Sequence, residues 1–245
     1  MNALAETAFT KKLNVLGSQW PVLDCILCIS AHWQTSGTWV TGMSHPQTIH
    51  DFHGFPKELF DIQYPAAGSE KIAQRIQNLL SEFSVQIDKG SWGLDHGTWS
   101  VLKHLYPRAN IPVVQLSLDK NKPDEFHYEL GKKLQPLREE NVLILGSGNV
   151  VHNLRQISWQ SDAPVFPWAS DFNAWVIDRL QKRAFNDLIH HYKDQPSGPI
   201  SVPTPEHWQP LLYVLGATQE NDSFRMEYND IENSSISMLS FSFGQ

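Results

Sequence analysis

Cys25-Ile26-Leu27-Cys28-Ile29-Ser30-Ala31-His32-Trp33 opens on five consecutive apolar residues and runs through two small ones into a histidine. An apolar run this short, without polar alternation, fits a strand buried on both faces, as in parallel sheets covered by helices. Residues 111–118 and 142–145 are two further candidate buried strands. Helical patterns separate them. Residues 69–83 place Ile72, Ile76, Leu79, Leu80 and Phe83 on one face, and 123–139 repeat the period through Phe126, Leu130, Leu134 and Leu137. Pro136 should kink or shorten that second helix. A third helix is predicted over 168–183, carrying Phe172, Trp175, Val176 and Leu180. Thr204-Pro205-Glu206-His207 reads as an N-cap, a proline at the first helical position and a first turn, in a helix ending near Gly216. Residues 194–203, rich in Pro, Gly and Ser, predict a loop, and 236–243 a last strand at a sheet edge. With no internal repeat and no shift in composition, the pattern predicts a single α/β domain over residues 1–245: a central mixed sheet flanked by helices.

Composition narrows the function. The chain has 245 residues, 41% hydrophobic and 18% charged, which is ordinary for a globular protein. Its net charge is −7 and it has no basic run, which argues against a nucleic-acid partner. No stretch reaches the roughly 18–20 apolar residues of a membrane span, and the first residues lack the shape of a signal peptide. Cys25 and Cys28 would point to opposite faces of a strand, so they read as buried core thiols in a reducing cytoplasm. A disulfide, a redox CxxC pair and a zinc site are the readings set aside.

Eleven histidines are many, so position must separate site residues from surface ones. Open α/β sheets bind ligands outside the carboxyl ends of their strands. His32 follows directly on the run 25–30, and His152 follows the run 142–145 and the turn Gly146-Ser147-Gly148-Asn149. His207 opens a predicted helix, and His96 precedes one in Trp92-Gly93-Leu94-Asp95-His96-Gly97-Thr98-Trp99. Four histidines from separate segments can therefore converge at one end of the sheet. Neutral imidazoles are common ligands of zinc and iron, and three ligands leave positions open for substrate. A lone loop histidine is usually solvated or capping, and His104, His127, His190 and His191 on helical patterns are read that way. A cationic His207 at a helix start would oppose the helix dipole, a conflict that a neutral metal-bound ring avoids. Gly146-Ser147-Gly148 is not a dinucleotide loop, because the third glycine of that motif would fall at Val151.

Taken together, these segments resemble the DOPA-4,5-dioxygenase family of LigB-type class III extradiol dioxygenases. The resemblance rests on Ser30-Ala31-His32-Trp33, Thr48-Ile49-His50-Asp51-Phe52 with Gly54-Phe55-Pro56, Tyr64-Pro65-Ala66-Ala67-Gly68 and the His96 segment. It continues through Pro112-Val113-Val114-Gln115-Leu116-Ser117, Gly148-Asn149-Val150-Val151-His152-Asn153-Leu154 and Thr204-Pro205-Glu206-His207. It implies a metal-dependent enzyme that opens catechols such as DOPA beside the two hydroxyls, inserting both atoms of dioxygen to give a muconic semialdehyde. It implies one divalent metal, Fe(II) for dioxygenase activity or Zn(II), held by His32, His152 and His207. His152 and His96 are the implied catalytic histidines, and His50 and His53 the implied substrate-binding ones. Glu206 is expected beside the metal rather than on it, since consecutive helical residues point about 100° apart.

One departure stands out. The resembling family begins with a strand ending in Gly-His-Gly-Ser/Ala-Pro, whose histidine is a ligand, and this chain starts at about the point where that motif ends. The expectation is that such a strand precedes Met1 in a working enzyme and lies beside residues 25–30. The alternatives left open are a degenerate metal- or catechol-binding relative without catalysis, and a zinc hydrolase.

Overall fold

Strand β1 (Cys25–Thr35) lies inside the sheet, buried from Cys25 through Ala31. With β2 (Trp39–Thr41), β3 (Gln86–Asp88), β4 (Val113–Asp119) and β5 (Val142–Ser147) it forms one five-stranded sheet in the order β3-β2-β4-β1-β5. β1 runs parallel to β4 and β5, whereas β2 runs antiparallel to β4, so the sheet is mixed. The computed structural model describes residues 3–20, 22–160 and 163–244.

The helices are α1 (Ala8–Gln19), α2 (Lys57–Phe60), α3 (Glu70–Leu79), α4 (His96–Leu105), α5 (Asp124–Leu134), α6 (Pro167–Gln181), α7 (Phe185–His190), α8 (Gly198–Ser201) and α9 (Gln209–Gly216). α1 and α4 cover one sheet face, packing Phe9, Leu13, Leu16, Trp99 and Leu102 with Ile26 and Val113. α3, α5 and α9 cover the other, where Ile72, Ile76, Leu130, Leu134 and Tyr213 meet Cys25, Leu27 and Ile29. Burial on both faces is why the run 25–29 lacks polar alternation. Each such Leu or Ile side chain contributes about 1.5–3 kcal/mol when removed from water. Cys25 packs on the α3/α5 side, while Cys28 accepts a hydrogen bond from Thr98 Oγ1 of α4 at 3.3 Å. The two thiols are thus on opposite faces, free and buried, and burial pushes Cys25 up to about 12.

Several expectations are corrected. The helix over 123–139 stops at Leu134, and Pro136 lies in a following 3-10 turn, Gln135–Glu140. The helix expected from Thr204 begins at Gln209, with Pro210 in its first turn. Thr204 Oγ1 donates to Glu206 Oε1 at 2.7 Å instead of capping. The loop predicted over 194–203 contains α8. The last strand is split: β8 (Ile236–Ser237) pairs with β7 (Ile231–Glu232), and β9 (Ser240–Gly244) pairs with β6 (Ser223–Tyr228), outside the main sheet. A further strand beside β1 has no room, because β4 and β5 occupy both of its edges; among the described residues the sheet's edge strands are β3 and β5.

His127 is fully buried on α5, its Nδ1 3.0 Å from the Tyr213 hydroxyl of α9 and its Nε2 without a partner. Burial lowers its pKa to about 4, against the opposing pull of Asp124 and Asp119. Below its ordinary value of about 6.5 the unfolded chain takes up this proton and the folded chain does not. The stability associated with a neutral His127 is therefore complete above about pH 6.5 and is lost as pH falls toward 4, on the order of 3 kcal/mol in all. Urea melts between pH 7 and 4 should show this slope, and His127→Gln should flatten it. An unchanged slope in the variant would assign the loss to other groups.

Candidate active site

The register between β1 and β4 breaks at the site. Ile29 pairs with Leu116 and Gln34 with Leu118, so β1 takes five steps where β4 takes two. Such a bulge re-aims side chains, and His32 sits within it. His32 is therefore inside a bulged strand rather than just beyond its end. Gly97 at the start of α4 allows the approach: a Cβ there would lie 2.5 Å from Ser30 Oγ and 2.8 Å from His32 Cδ2.

His96 is the first residue of α4, which Asp95 caps by accepting from Thr98 N at 3.0 Å. Asp95 is wholly buried and is clamped to β4, its Oδ2 accepting from Gln115 Nε2 at 2.7 Å and its N–H donating to Gln115 Oε1 at 3.0 Å. The His96 ring lies 3.9 Å from that of His32, centre to centre. Asp51 Oδ1 accepts from His96 N at 2.9 Å, and its Oδ2 lies 2.9 Å from His96 Nδ1 and 3.6 Å from His32 Nδ1. The contact sets Asp51 against the Nδ1 side of the His96 ring, opposite Nε2. Burial alone would lift the Asp51 carboxyl, but its bonds to the His96 side chain and backbone hold it below the usual range.

His152 and His207 arrive from the other side, stacked at 3.5 Å with planes 11° apart, and the His207 ring meets the His32 ring edge-on at 5.3 Å. His207 is fixed by Asn149, in the turn after β5. Asn149 N donates to His207 O at 3.0 Å, and its Oδ1 lies 3.3 Å from His207 Nδ1. Asn149 Nδ2 donates to Ser237 O at 2.7 Å, which settles that the amide oxygen faces the ring. Nδ1 of His207 then carries the proton and Nε2 its lone pair, the arrangement second-shell partners impose on metal-binding histidines. Gly148 is needed there, since a Cβ would lie 2.3 Å from His207 O.

The four imidazoles line one cavity of about 910 Å³ together with Asp51, Phe52 and Phe55. Burial lowers His32, lowers His152 to about 4 and takes His207 well below 6.5. Neighbouring imidazoles add to this: His96 for His32, and His152, His32 and His96 for His207. Neutral rings with free lone pairs suit a divalent cation. Two donor sets have ligand atoms within 4.8 Å of one another: His32, Asp51 and His96, and His152, Glu206 and His207. The donor chemistry fits one divalent metal ion.

Asp51 and Glu206 join the site although the sequence reading gave neither a ligand's place. Glu206 reaches it because residues 206–208 form a turn rather than regular helix, so the 100° argument does not apply. His50 and His53 are not among the residues lining the cavity. His50 Nε2 donates to Ile62 O at 3.0 Å and its ring packs on Phe52, Phe60 and Trp99, while His53 is exposed. Their loop lines the cavity through Asp51, Phe52 and Phe55 instead.

The sequence matches the catalytic LigB subunit of aromatic ring-opening dioxygenase over residues 17–243. The chain belongs to this LigB family. Among its relatives is a 4,5-DOPA dioxygenase extradiol of Escherichia coli (strain K12), 46% identical, the match covering 100% of this chain and 91% of the relative. Another protein of that name, from Beta vulgaris, is 40% identical over 89% of this chain and 82% of its own length. The crystal structure of an uncharacterized protein from Escherichia coli K12 has the same fold, with a TM-score of 0.85 and 43% identity over 97% of this chain and 93% of that one. This LigB-family chain is thus a metal-dependent extradiol dioxygenase of catechols by family and by its histidine-carboxylate centre. No helix among the described residues is long and apolar enough to cross a membrane.

Equilibrium dialysis with Zn(II) should find one ion per chain. His207→Ala and Asn149→Ala should weaken its binding at least about tenfold, the first by removing a donor and the second by freeing its tautomer. His190→Ala, on an exposed ring, should not. Equal affinity in all three variants would place the metal elsewhere.

Proposed function

We propose that this chain opens the ring of DOPA or a closely similar catechol, using Fe(II) held by His32, His152 and His207. The observation that carries this reading is the convergence of those three neutral rings beside a fourth, His96, that has its own carboxylate. When bound there, Fe(II) would supply the redox chemistry that ring opening by dioxygen needs and that zinc lacks. We read His152 as a ligand because it stacks on His207 and has Glu206 beside it.

His96 is the acid/base group. With Asp51 at Nδ1, its Nε2 can accept a catechol hydroxyl proton and later return it, and histidine suits both directions near neutral pH. Phe52 packs edge-on against His96 at 5.3 Å and against Phe55 at 5.5 Å, forming an aromatic wall for the substrate ring. In the overall reaction one ring carbon–carbon bond breaks beside the hydroxyls and both atoms of dioxygen enter the product. Small-molecule catechol and dioxygen are the partners. The two free buried thiols support a reducing cytoplasm as its compartment.

Anaerobic loading with Fe(II) followed by DOPA and air should consume oxygen and yield a yellow semialdehyde, while the zinc-loaded protein should not. His96→Gln should slow turnover by about 10²–10⁴-fold with metal affinity within about twofold of the parent. His152→Ala should lose metal and turnover together. Equal oxygen uptake with zinc would contradict the redox role, and a near-normal rate in His96→Gln would remove that ring from proton transfer.

A further inference from the structure

Five residues of α6 are buried, and four of them, Ala169, Phe172, Val176 and Leu180, share an apolar cluster with Val150, Val151 and Trp208, the chain neighbours of His152 and His207. The fifth is Asn173. A buried amide destabilises the fold unless its donors and acceptor are matched. Asn173 Oδ1 accepts from Ser237 Oγ of β8 at 2.6 Å, and its Nδ2 donates to Asn229 Oδ1 at 2.8 Å. Ser237 is buried as well, and each of its polar groups is engaged. Its Oγ accepts from Leu239 N at 3.1 Å, its N–H donates to Val151 O at 3.0 Å, and its carbonyl accepts from Asn149 Nδ2 at 2.7 Å. β8 is only two residues long and pairs only with the equally short β7, so its own ladder holds it weakly. The bond from Asn173 ties it to the body of the protein.

The direction of these bonds carries a consequence for the pocket. A carbonyl oxygen only accepts, so Ser237 O draws the amide nitrogen of Asn149 to itself and turns the amide oxygen to His207 Nδ1, 3.3 Å away. That oxygen also only accepts, so the proton of the neutral His207 ring sits on Nδ1 and the lone pair on Nε2. A free neutral histidine prefers the opposite tautomer, with its proton on Nε2. His207 is thus kept in its less favoured form by a chain of donors and acceptors that starts on α6, at a residue that does not line the cavity. We propose that Asn173 and Ser237 are positioning residues that select which nitrogen of His207 faces the pocket, acting through Asn149. The same serine fixes the approach to His152, through Val151 O and through the bridge between Ile236 and His152. The consequence for the metal rests on His207 being a ligand; the choice of tautomer does not.

Three variants test this. Asn173→Leu removes the acceptor at similar volume, Ser237→Ala removes the hydroxyl, and Asn173→Asp keeps an oxygen for Ser237. Long-range ¹H–¹⁵N spectra of the full chain with ¹⁵N-labelled histidine, at about pH 8 where imidazoles are neutral, read the tautomer directly. The His207 signals are identified by their loss in His207→Gln. The parent and Asn173→Asp should carry the proton on Nδ1. Asn173→Leu and Ser237→Ala should shift His207 toward the Nε2-protonated form and weaken Zn(II) binding about three- to tenfold, the low end of what outer partners of metal histidines contribute. Should Asn173→Leu fail to fold, Ser237→Ala, the smaller change, decides. A purely structural role would lower the melting temperature and leave the tautomer as in the parent, and that result overturns the proposal. So does a parent whose His207 is protonated on Nε2. A shifted tautomer with unchanged Zn(II) affinity upholds the positioning role and instead removes His207 from the ligands.

Discussion

Four imidazoles share one partly buried pocket, and three of them, His32, His152 and His207, are held against protonation there. Burial and mutual repulsion both act against protonation, pushing His152 to about 4 and His207 well below 6.5. The same forces leave ring nitrogens with free lone pairs turned toward one another. An assembly that resists protons in this way is disposed toward a divalent cation, which those lone pairs can hold.

The fold enforces this crowding by backbone means. The bulge in β1 turns His32 into the pocket, the Asp95–Gln115 clamp fixes the start of α4 and hence His96, and Asn149 holds both the backbone and the ring of His207. Gly97 and Gly148 let the backbones approach where a Cβ would collide. His32 comes from β1, His96 from α4, and His152 and His207 from two separate loops, so the site depends on the whole frame being formed. The buried strands β1 and β4 give that frame its rigidity.

Much of this was legible in the sequence. Residues 25–29 and 142–145 have no polar alternation, and that pattern belongs to strands covered on both faces. β2 and β3, three residues each, are too short to show a period, and α1 carries a weak apolar stripe. The histidines at strand ends could be named from position, but their carboxylates could not. Asp51 lies in an irregular loop whose direction no local pattern sets, and Glu206 was set aside on the geometry of a helix that begins three residues later. For His50 and His53 the sequence shows only that they flank Asp51; the structure has His50 on the Ile62 carbonyl and His53 exposed.

Two carboxylates divide the pocket, Asp51 beside His32 and His96 and Glu206 beside His152 and His207. Ring opening by dioxygen needs both an electron path and a proton path, and under the proposed function the pocket holds donors for both. The most direct measurement is a single turnover of Fe(II)-loaded protein with DOPA under ¹⁸O₂, followed by mass spectrometry of the product. Two labelled oxygen atoms in one ring-opened molecule are the result predicted. A product with no label, or a ring left closed with one labelled oxygen, would contradict it.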